Sequence, residues 1–353
     1  MRRVLVARLD SVGDVLLAGP AVRAVAAGRA GQPVEVVMLC SPQGAPAARR
    51  LPGVTSVLEW SCPWIVDPAP PVTPATVAEL ADLLTGAGAE EALILTSFHQ
   101  SPLPLALLLR LAGFRRVAGA SVDFAGQLLD VRLRPGEDFP EDQPEALRAL
   151  GIARAAGYDL PSGDAGALAV TPGPDVSALV GEDPYVVVHP GAAVPARAWP
   201  AENAAAVVRL LAAQGLRVLV TGGPAERELT ATVAAGGGED LGGRTDLATL
   251  SAVLQRACVT ITGNTGPAHL SAAVGTPVVS LFSPVVPAVR WAPYGVPVEL
   301  LGDQTAPCRD TRARTCPVPG HPCLSGVTAE EVAGACARLL VGADGAGPTR
   351  GRR

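Results

Sequence analysis

Short apolar strands that alternate with helical stretches, in two successive series, constrain the fold of this 353-residue chain more than any other feature. Strands that are apolar throughout are typical of a parallel sheet covered by helices on both faces. The first series stops in a segment rich in Pro, Gly, Ser and Asp, at about residues 160–184, and a second series then begins. The sequence therefore predicts an α/β protein with two Rossmann-like parallel-sheet domains that face each other across a cleft.

The length agrees with two domains of ordinary size. In the first series, strands are predicted at residues 3–8, 34–40, 54–59 and 92–96, and helices at 13–28, 42–50, 74–84 and 103–112. In the second, strands are predicted at residues 185–189, 217–221, 258–262 and 278–282, and helices at 201–214, 225–235, 246–256 and 267–274. We expect an N-terminal domain over 1–165, a linker over 166–183, a second domain over 184–326, a C-terminal helix over 327–341 and a disordered tail over 342–353.

Charge and cysteine content exclude some classes of partner and compartment. All 28 basic residues are Arg, and the formal net charge is -5, so a nucleic-acid partner is not expected. The seven Cys are an odd number without a secretory signal, which favours free thiols in a reducing cytoplasm. The uncharged segment 257–289 contains four Pro and is not expected to span a membrane. We predict a cytoplasmic protein with at most peripheral contact with the inner face of the membrane.

Polar residues follow the first predicted strand, in the segment RLDSVGD that runs from Arg8 to Asp14. The ends of parallel strands are where Rossmann-like sheets bind ligands. Asp14 falls in the first turn of a helix, where the helix dipole stabilises a carboxylate by about 0.3–1 kcal/mol. It is either a residue that starts the helix or a general base, and Gly13 is a candidate turn residue beside it. No GxGxxG follows the strand, so a nicotinamide site is not supported.

The second series has candidate ligand residues after two of its strands. His189 ends one strand, and Arg197 precedes a helix in a position where its guanidinium could hold a phosphate. Gly222 and Gly223 allow close approach of a ligand to the backbone, and Glu226 could accept hydrogen bonds from a ribose. Each has a structural alternative: backbone bonding for His189, an exposed position for Arg197, and a plain turn for the glycines.

The segment GNTGPAH at residues 263–269 is the most informative one. Small residues before a helix that opens with Pro expose backbone N–H groups, which suits a diphosphate. Asn264, Thr265 and Gly266 lie in this loop, and His269 comes one turn into the helix. The alternative for His269 is a core histidine with its hydrogen bonds satisfied.

Four segments in this order resemble glycosyltransferase family 9, the ADP-heptose:lipopolysaccharide heptosyltransferases and their relatives. They are RLDSVGD (8–14), RAWP (197–200), GNTGPAH (263–269) and TPVVSLF (276–282). The resemblance implies a GT-B fold and an inverting, metal-independent glycosyltransferase of lipopolysaccharide biosynthesis. Its partners would be a nucleotide-sugar donor, with an ADP-linked heptose or related sugar, and a glycan or glycolipid acceptor.

The resemblance also implies roles for individual residues. Asp14 matches the catalytic base, and Arg197 stands where the family usually has a diphosphate-binding Lys. Asn264 stands where heptosyltransferases commonly have Asp, which removes one negative charge beside the donor. The donor-binding residues implied are Arg197, Glu226, Asn264, Thr265, Gly266 and His269, with Gly13, His189, Gly222 and Gly223 as additional candidates.

No metal and no cofactor are expected. The sequence contains no Asp-x-Asp pair, the arrangement that would hold a divalent ion on a diphosphate. Cys308, Cys316, His321 and Cys323 lack the close CxxC pairs of a zinc ribbon, so a group of thiols or a disulfide is favoured there over a structural metal.

Two other functions stay open on the sequence alone. One is a nucleotide-sugar epimerase of the same architecture, which would release an epimeric sugar without an acceptor. The other is a non-catalytic relative that binds a nucleotide sugar, which the Asn at position 264 makes conceivable.

Overall fold

A computed structural model describes residues 2–66 and 68–345 of the chain. The chain divides into two compact units between Thr171 and Pro172. Each unit contains one six-stranded parallel sheet with helices around it. Residues 342–345, which were expected in a tail, continue the last helix, and the rest of that predicted tail lies outside the described residues.

The first unit consists of strands β1 to β6 and helices α1 to α6. The strands are β1 Arg3–Arg8, β2 Glu35–Cys40, β3 Val54–Glu59, β4 Glu91–Ile94, β5 Arg116–Ala120 and β6 Val131–Leu133. The helices are α1 Val12–Leu17, α2 Gly19–Ala27, α3 Ala45–Ala48, α4 Pro74–Ala87, α5 Leu103–Leu111 and α6 Glu145–Ala155.

The second unit consists of strands β7 to β12 and helices α7 to α14. The strands are β7 Val186–His189, β8 Val218–Val220, β9 Glu239–Asp240, β10 Val259–Gly263, β11 Val278–Leu281 and β12 Val298–Leu301. The helices are α7 Ser177–Val180, α8 Ala201–Ala213, α9 Arg227–Ala234, α10 Leu247–Arg256, α11 Gly266–Ala273, α12 Ala288–Trp291, α13 Pro322–Ser325 and α14 Ala329–Gly345. In the described part of the chain, no helix is both long and apolar enough to cross a membrane.

Both sheets have the same topology. The strand order is β3-β2-β1-β4-β5-β6 in the first unit and β12-β11-β10-β7-β8-β9 in the second, and all neighbouring strands are parallel. This is the Rossmann order, in which the direction of winding reverses between the first and fourth strands. The reversal places a crevice beyond the carboxyl ends of β1 and β4 in one unit, and of β7 and β10 in the other.

The predicted helix at 13–28 is in fact two helices, α1 and α2, which meet at Ala18. Pro20 explains the break, because it has no N–H to donate to the carbonyl of Leu16 and its ring would clash with that carbonyl. The break makes α1 a short helix that begins directly after the polar loop that follows β1.

Strand β4 begins one residue earlier than the sequence predicted, at Glu91, whose side chain is buried. Three guanidiniums compensate its charge: Arg2 at 2.6 Å, Arg116 at 3.3 Å, and Arg29 in a short bidentate contact. A buried carboxylate needs such partners, because desolvation without them costs several kcal/mol. The sequence treated Glu91 as a boundary, but long-range ion pairs keep it inside the sheet.

Candidate active site

Arg8, the last residue of β1, organises the carboxyl edge of the first sheet. Its side chain is 3% exposed, and three carboxylates surround it. Arg8 Nε lies 2.8 Å from Asp10 Oδ2, Nη2 donates to Asp14 Oδ1 at 3.0 Å, and Nη1 lies 3.5 Å from Glu145 Oε2. Nη2 also donates to Ser97 Oγ, in the segment after β4, at 2.7 Å. One buried cation thus joins groups from three separate parts of the chain.

Asp14 lies in the first turn of α1, as predicted, and its side chain is 20% exposed. The Ser11 hydroxyl donates to Asp14 Oδ2 at 2.8 Å, so each carboxylate oxygen accepts a hydrogen bond from a neighbouring side chain. These two hydrogen bonds hold the carboxylate in one orientation. Gly13, expected in the turn, lies inside α1 and packs in the interior.

Burial and neighbouring charges have opposite effects on the pKa values of Arg8 and Glu145. Burial alone disfavours a charged Arg8, but Asp10, Asp14 and Glu145 together outweigh it and raise the pKa of the guanidinium. Burial raises the pKa of Glu145, and the positive charges of Arg8 and Arg148 offset only part of that effect. Glu145, at the start of α6, was not predicted as a site residue. Its sequence context shows only a helix that opens after Pro144, and the contact with Arg8 spans most of the unit.

In the second unit, the predicted site residue His189 lies at the switch point between β7 and β10. His189 ends β7 and pairs in register with Thr262 of β10. The ring is buried, and its Nδ1 lies 3.0 Å from the Thr221 hydroxyl that follows β8. Burial lowers the pKa of His189 despite the opposing charge of Glu226, so the ring is neutral at neutral pH. His189 therefore bonds a side chain, not the backbone.

Glu226 lies at the end of a 3-10 turn that follows β8, beside three glycines. Its Oε2 accepts the backbone N–H of Gly223 at 2.7 Å and lies 3.9 Å from His189 Nε2. A Cβ on Gly191 would stand 1.9 Å from Glu226 Oε1, so only glycine fits there with the carboxylate in place. A Cβ on Gly222 would stand 2.5 Å from Thr230 Cγ2, so packing against Thr230 explains the glycine at that position.

The loop between β10 and α11 carries the predicted diphosphate segment. Gly263 ends β10, and Thr265, half-buried, precedes the first residue of α11 without a side-chain cap. Pro267 has no N–H, and the N–H groups of Thr265 and Ala268 donate to the carbonyls of Gly263 and Thr265, which leaves the N–H of Gly266 in this turn for another acceptor within the described part of the chain. Asn264 Oδ1 accepts the backbone N–H of Ser283 at 3.4 Å, which ties the loop to the end of β11. His269 lies one turn into α11 and is buried.

Arg197 ends a 3-10 turn close to this loop and is half-buried, so it is not a freely exposed side chain. A Cβ on Gly263 would stand 3.1 Å from the carbonyl oxygen of Arg197, which places the two segments side by side. Trp199 anchors the Arg197 segment, because its ring is buried and its Nε1–H donates to the Val327 carbonyl at 3.3 Å. The second unit thus gathers Arg197 and the start of α11 at one edge of its sheet.

The sequence matches the family model described as glycosyltransferase family 9 (heptosyltransferase) over residues 106–321, more than half of the chain. The chain belongs to glycosyltransferase family 9. It is therefore a glycosyltransferase, as the ordered segments predicted. A comparison with curated proteins finds no match.

Solved structures of family 9 proteins share the fold. A family 9 glycosyl transferase from Veillonella parvula is 18% identical with a TM-score of 0.76, and the match covers 97% of this chain and 98% of that one. The E. coli ADP-heptose LPS heptosyltransferase II is 18% identical with a TM-score of 0.72, covering 98% and 100%. E. coli heptosyltransferase WaaC with ADP-2-deoxy-2-fluoro heptose is 20% identical with a TM-score of 0.67, covering 95% and 99%. These likenesses, with the two Rossmann-like sheets, give this family 9 member the GT-B fold.

Three of the cysteines form a cluster in the core of the second unit. Cys308 and Cys323 are buried in its core, with Cys316 packed beside them, and all seven cysteines are free thiols. Burial raises the pKa of Cys323 to about 11, which makes it a poor nucleophile at neutral pH. His321 Nε2 lies 3.1 Å from the carbonyl oxygen of Ala196. Over residues 2–66 and 68–345, no three His, Cys, Asp or Glu side chains form a group that could hold a metal ion.

Proposed function

We propose that this protein transfers a sugar, with inversion and without a metal ion, from a nucleotide-diphosphate donor to a hydroxyl of a glycan or glycolipid. The donor is an ADP-linked heptose or a related sugar, and the acceptor belongs to lipopolysaccharide biosynthesis. The names of the similar structures support this choice, since one is an ADP-heptose LPS heptosyltransferase and another is held with an ADP-heptose analogue.

The observation that carries the proposal is the state of Asp14. Arg8 and Ser11 donate one hydrogen bond to each oxygen of a carboxylate that is still partly exposed. Such a carboxylate is held in one orientation and is reachable by a hydroxyl, as a general base must be. Asp14 takes the proton of the acceptor hydroxyl while that oxygen attacks the anomeric carbon. The bond from this carbon to the diphosphate breaks, the nucleoside diphosphate leaves with the electron pair, and one displacement inverts the configuration.

The second unit provides for the leaving group. The N–H of Gly266 at the start of α11 and the guanidinium of Arg197 would bind the diphosphate, and His269 would donate to one of its oxygens. Donors that are fixed before the reaction stabilise the charge that develops on the departing oxygen, and such stabilisation supplies much of the rate enhancement of many enzymes. Glu226 would accept hydrogen bonds from the ribose hydroxyls through the oxygen that Gly223 leaves available.

A thermal-shift panel of ADP-, GDP-, UDP- and dTDP-sugars tests the proposal. We expect an ADP-sugar to stabilise the protein by about 2.7 kcal/mol at 100 times its dissociation constant. Sugar transfer with that donor is expected to be the same with and without EDTA. A panel in which no nucleotide sugar changes the melting temperature would contradict the proposal, as would release of an epimeric sugar in the absence of any acceptor.

Gly191→Ala tests the role of Glu226. The new Cβ would overlap the carboxylate and displace it, so we expect about a tenfold weaker donor affinity, equivalent to the loss of about one hydrogen bond to a charged group. Isothermal titration with ADP measures this. Gly86→Ala is the control, because a Cβ there meets nothing within 4 Å. Equal affinities in the two variants would remove Glu226 from the donor site.

A further inference from the structure

Glu145 is a buried acid for which the proposed reaction has no direct use. It is the first residue of α6, its side chain is 1% exposed, and it cannot reach solvent as Asp14 does. Among the described residues, none donates a hydrogen bond to either of its carboxylate oxygens. A buried carboxylate in this state is costly, so its presence beside Arg8 requires a physical explanation.

The geometry around Arg8 gives one. The guanidinium faces a different carboxylate with each of its nitrogens: Nε faces Asp10, Nη2 faces Asp14 and Nη1 faces Glu145. A guanidinium is planar and its nitrogens are fixed in a fork, so the charge of Glu145 3.5 Å from Nη1 restricts the direction of Nη2. The Glu145 side chain is therefore placed to determine how Arg8 presents its proton to Asp14.

The charges around Arg8 also indicate a role for Glu145. The charged groups that act on Glu145 are Arg8 of β1, Arg148 of the same helix, Asp14 of α1, and Asp10 of the loop between β1 and α1. Arg148 is itself held in place, since its guanidinium donates to the backbone carbonyl of Thr96 in a short contact. A full positive charge on Arg8 next to Asp14 would make that carboxylate a weaker base, and a negative charge at Glu145 opposes this effect.

We propose that Glu145 is a positioning residue for Asp14: it orients the Arg8 guanidinium and offsets part of its charge, so that Asp14 is both held in place and basic enough to accept a proton. The proposal rests on the proposed function, because it assumes that Asp14 is the base. It assigns no contact with substrate to Glu145.

The test compares pH–rate profiles of wild type and Glu145→Gln. The Gln keeps the shape and removes the charge, so we expect the acid limb of kcat to move by about one pH unit toward lower pH. The plateau of kcat is expected to fall by about tenfold, because a weaker base transfers the proton less well. The KM for the donor is expected to be unchanged. Glu145→Asp keeps the charge and is expected to restore the acid limb to its wild-type position.

Glu228→Gln is the matched control, since Glu228 is an exposed acid in the first turn of α9. If the profile of Glu145→Gln coincides with that of wild type while Asp14→Asn is inactive, the positioning role is wrong and the proposed function stands. If Asp14→Asn is as active as wild type, the proposed function itself fails. If Glu145→Gln does not fold, Glu145→Asp decides: it keeps the charge, and with it the position of the acid limb, but its shorter side chain no longer orients Arg8, so the plateau of kcat falls at constant KM, and an unchanged plateau overturns the proposal.

Discussion

Replacing Asp14 with Asn is expected to lower the rate of sugar transfer by about 10²- to 10⁴-fold, the usual contribution of a general base. The amide has nearly the same shape and its oxygen can still accept a hydrogen bond from Arg8 or Ser11. It cannot take a proton from the acceptor at neutral pH. The change therefore removes one chemical property and leaves the surroundings of the side chain almost intact.

The measurement is kcat for transfer together with the dissociation constant of ADP. We expect kcat to fall and ADP affinity to stay within about twofold, because the residues proposed to bind the diphosphate belong to the second unit. Asp82→Asn is the control, since Asp82 lies on the exposed face of α4. A variant at position 14 with the transfer rate of wild type would show that another group is the base.

Replacing Arg8 with Met is expected to lower the free energy of unfolding by about 3–5 kcal/mol, the range seen when one partner of a buried ion pair is removed. Met fills a similar volume without the charge, and it leaves Asp10, Asp14 and Glu145 close together with no cation at their centre. Carboxylates in that arrangement repel one another and favour protonation. The loss of stability is therefore expected to shrink as the pH falls and the carboxylates become neutral.

Urea denaturation at neutral and at acidic pH measures this effect. Arg49→Met is the matched control, because Arg49 is half exposed and pairs with the exposed Glu59. Surface pairs of that kind contribute about 0–1 kcal/mol. Similar losses in the two variants, or a loss at Arg8 that does not depend on pH, would contradict the view that Arg8 holds a buried group of acids together.

The sequence predicts the elements in which local pattern and tertiary structure agree. The strands at residues 3–8 and 54–59 are confirmed to the residue, and the helix predicted from residue 74 begins there, capped by the bond from Thr76 N–H to the Thr73 hydroxyl. These signals are local: an apolar run bounded by charge, and a hydroxyl followed by Pro. Strands β5 and β6 were not predicted, because one contains Gly and Ala and the other has three residues.

The candidate site likewise contains residues that a local pattern predicts and residues that only the tertiary structure brings together. Asp14 and the loop at 263–269 could be proposed as candidates from the sequence, because each is a short segment whose interpretation depends on its position after a strand. Glu145 could not, because its partner Arg8 lies at the other end of the first unit and only the packing of α6 brings them together. Glu91 is the second case, since its three arginines come from three separate segments. Local sequence patterns therefore fail to predict the position of charged residues whose ion-pair partners are remote in sequence.

We propose a general base in the first unit and donor binding in the second, and one calorimetric series separates these two roles. ADP is titrated into wild type, Asp14→Asn and Arg197→Ala, with Arg209→Ala, an exposed residue of α8, as the control. We predict that Arg197→Ala weakens ADP by roughly tenfold to a hundredfold, the loss of a charge-assisted hydrogen bond, and that Asp14→Asn binds as wild type does. Unchanged binding in Arg197→Ala, or a loss of ADP binding in Asp14→Asn, would contradict the claim.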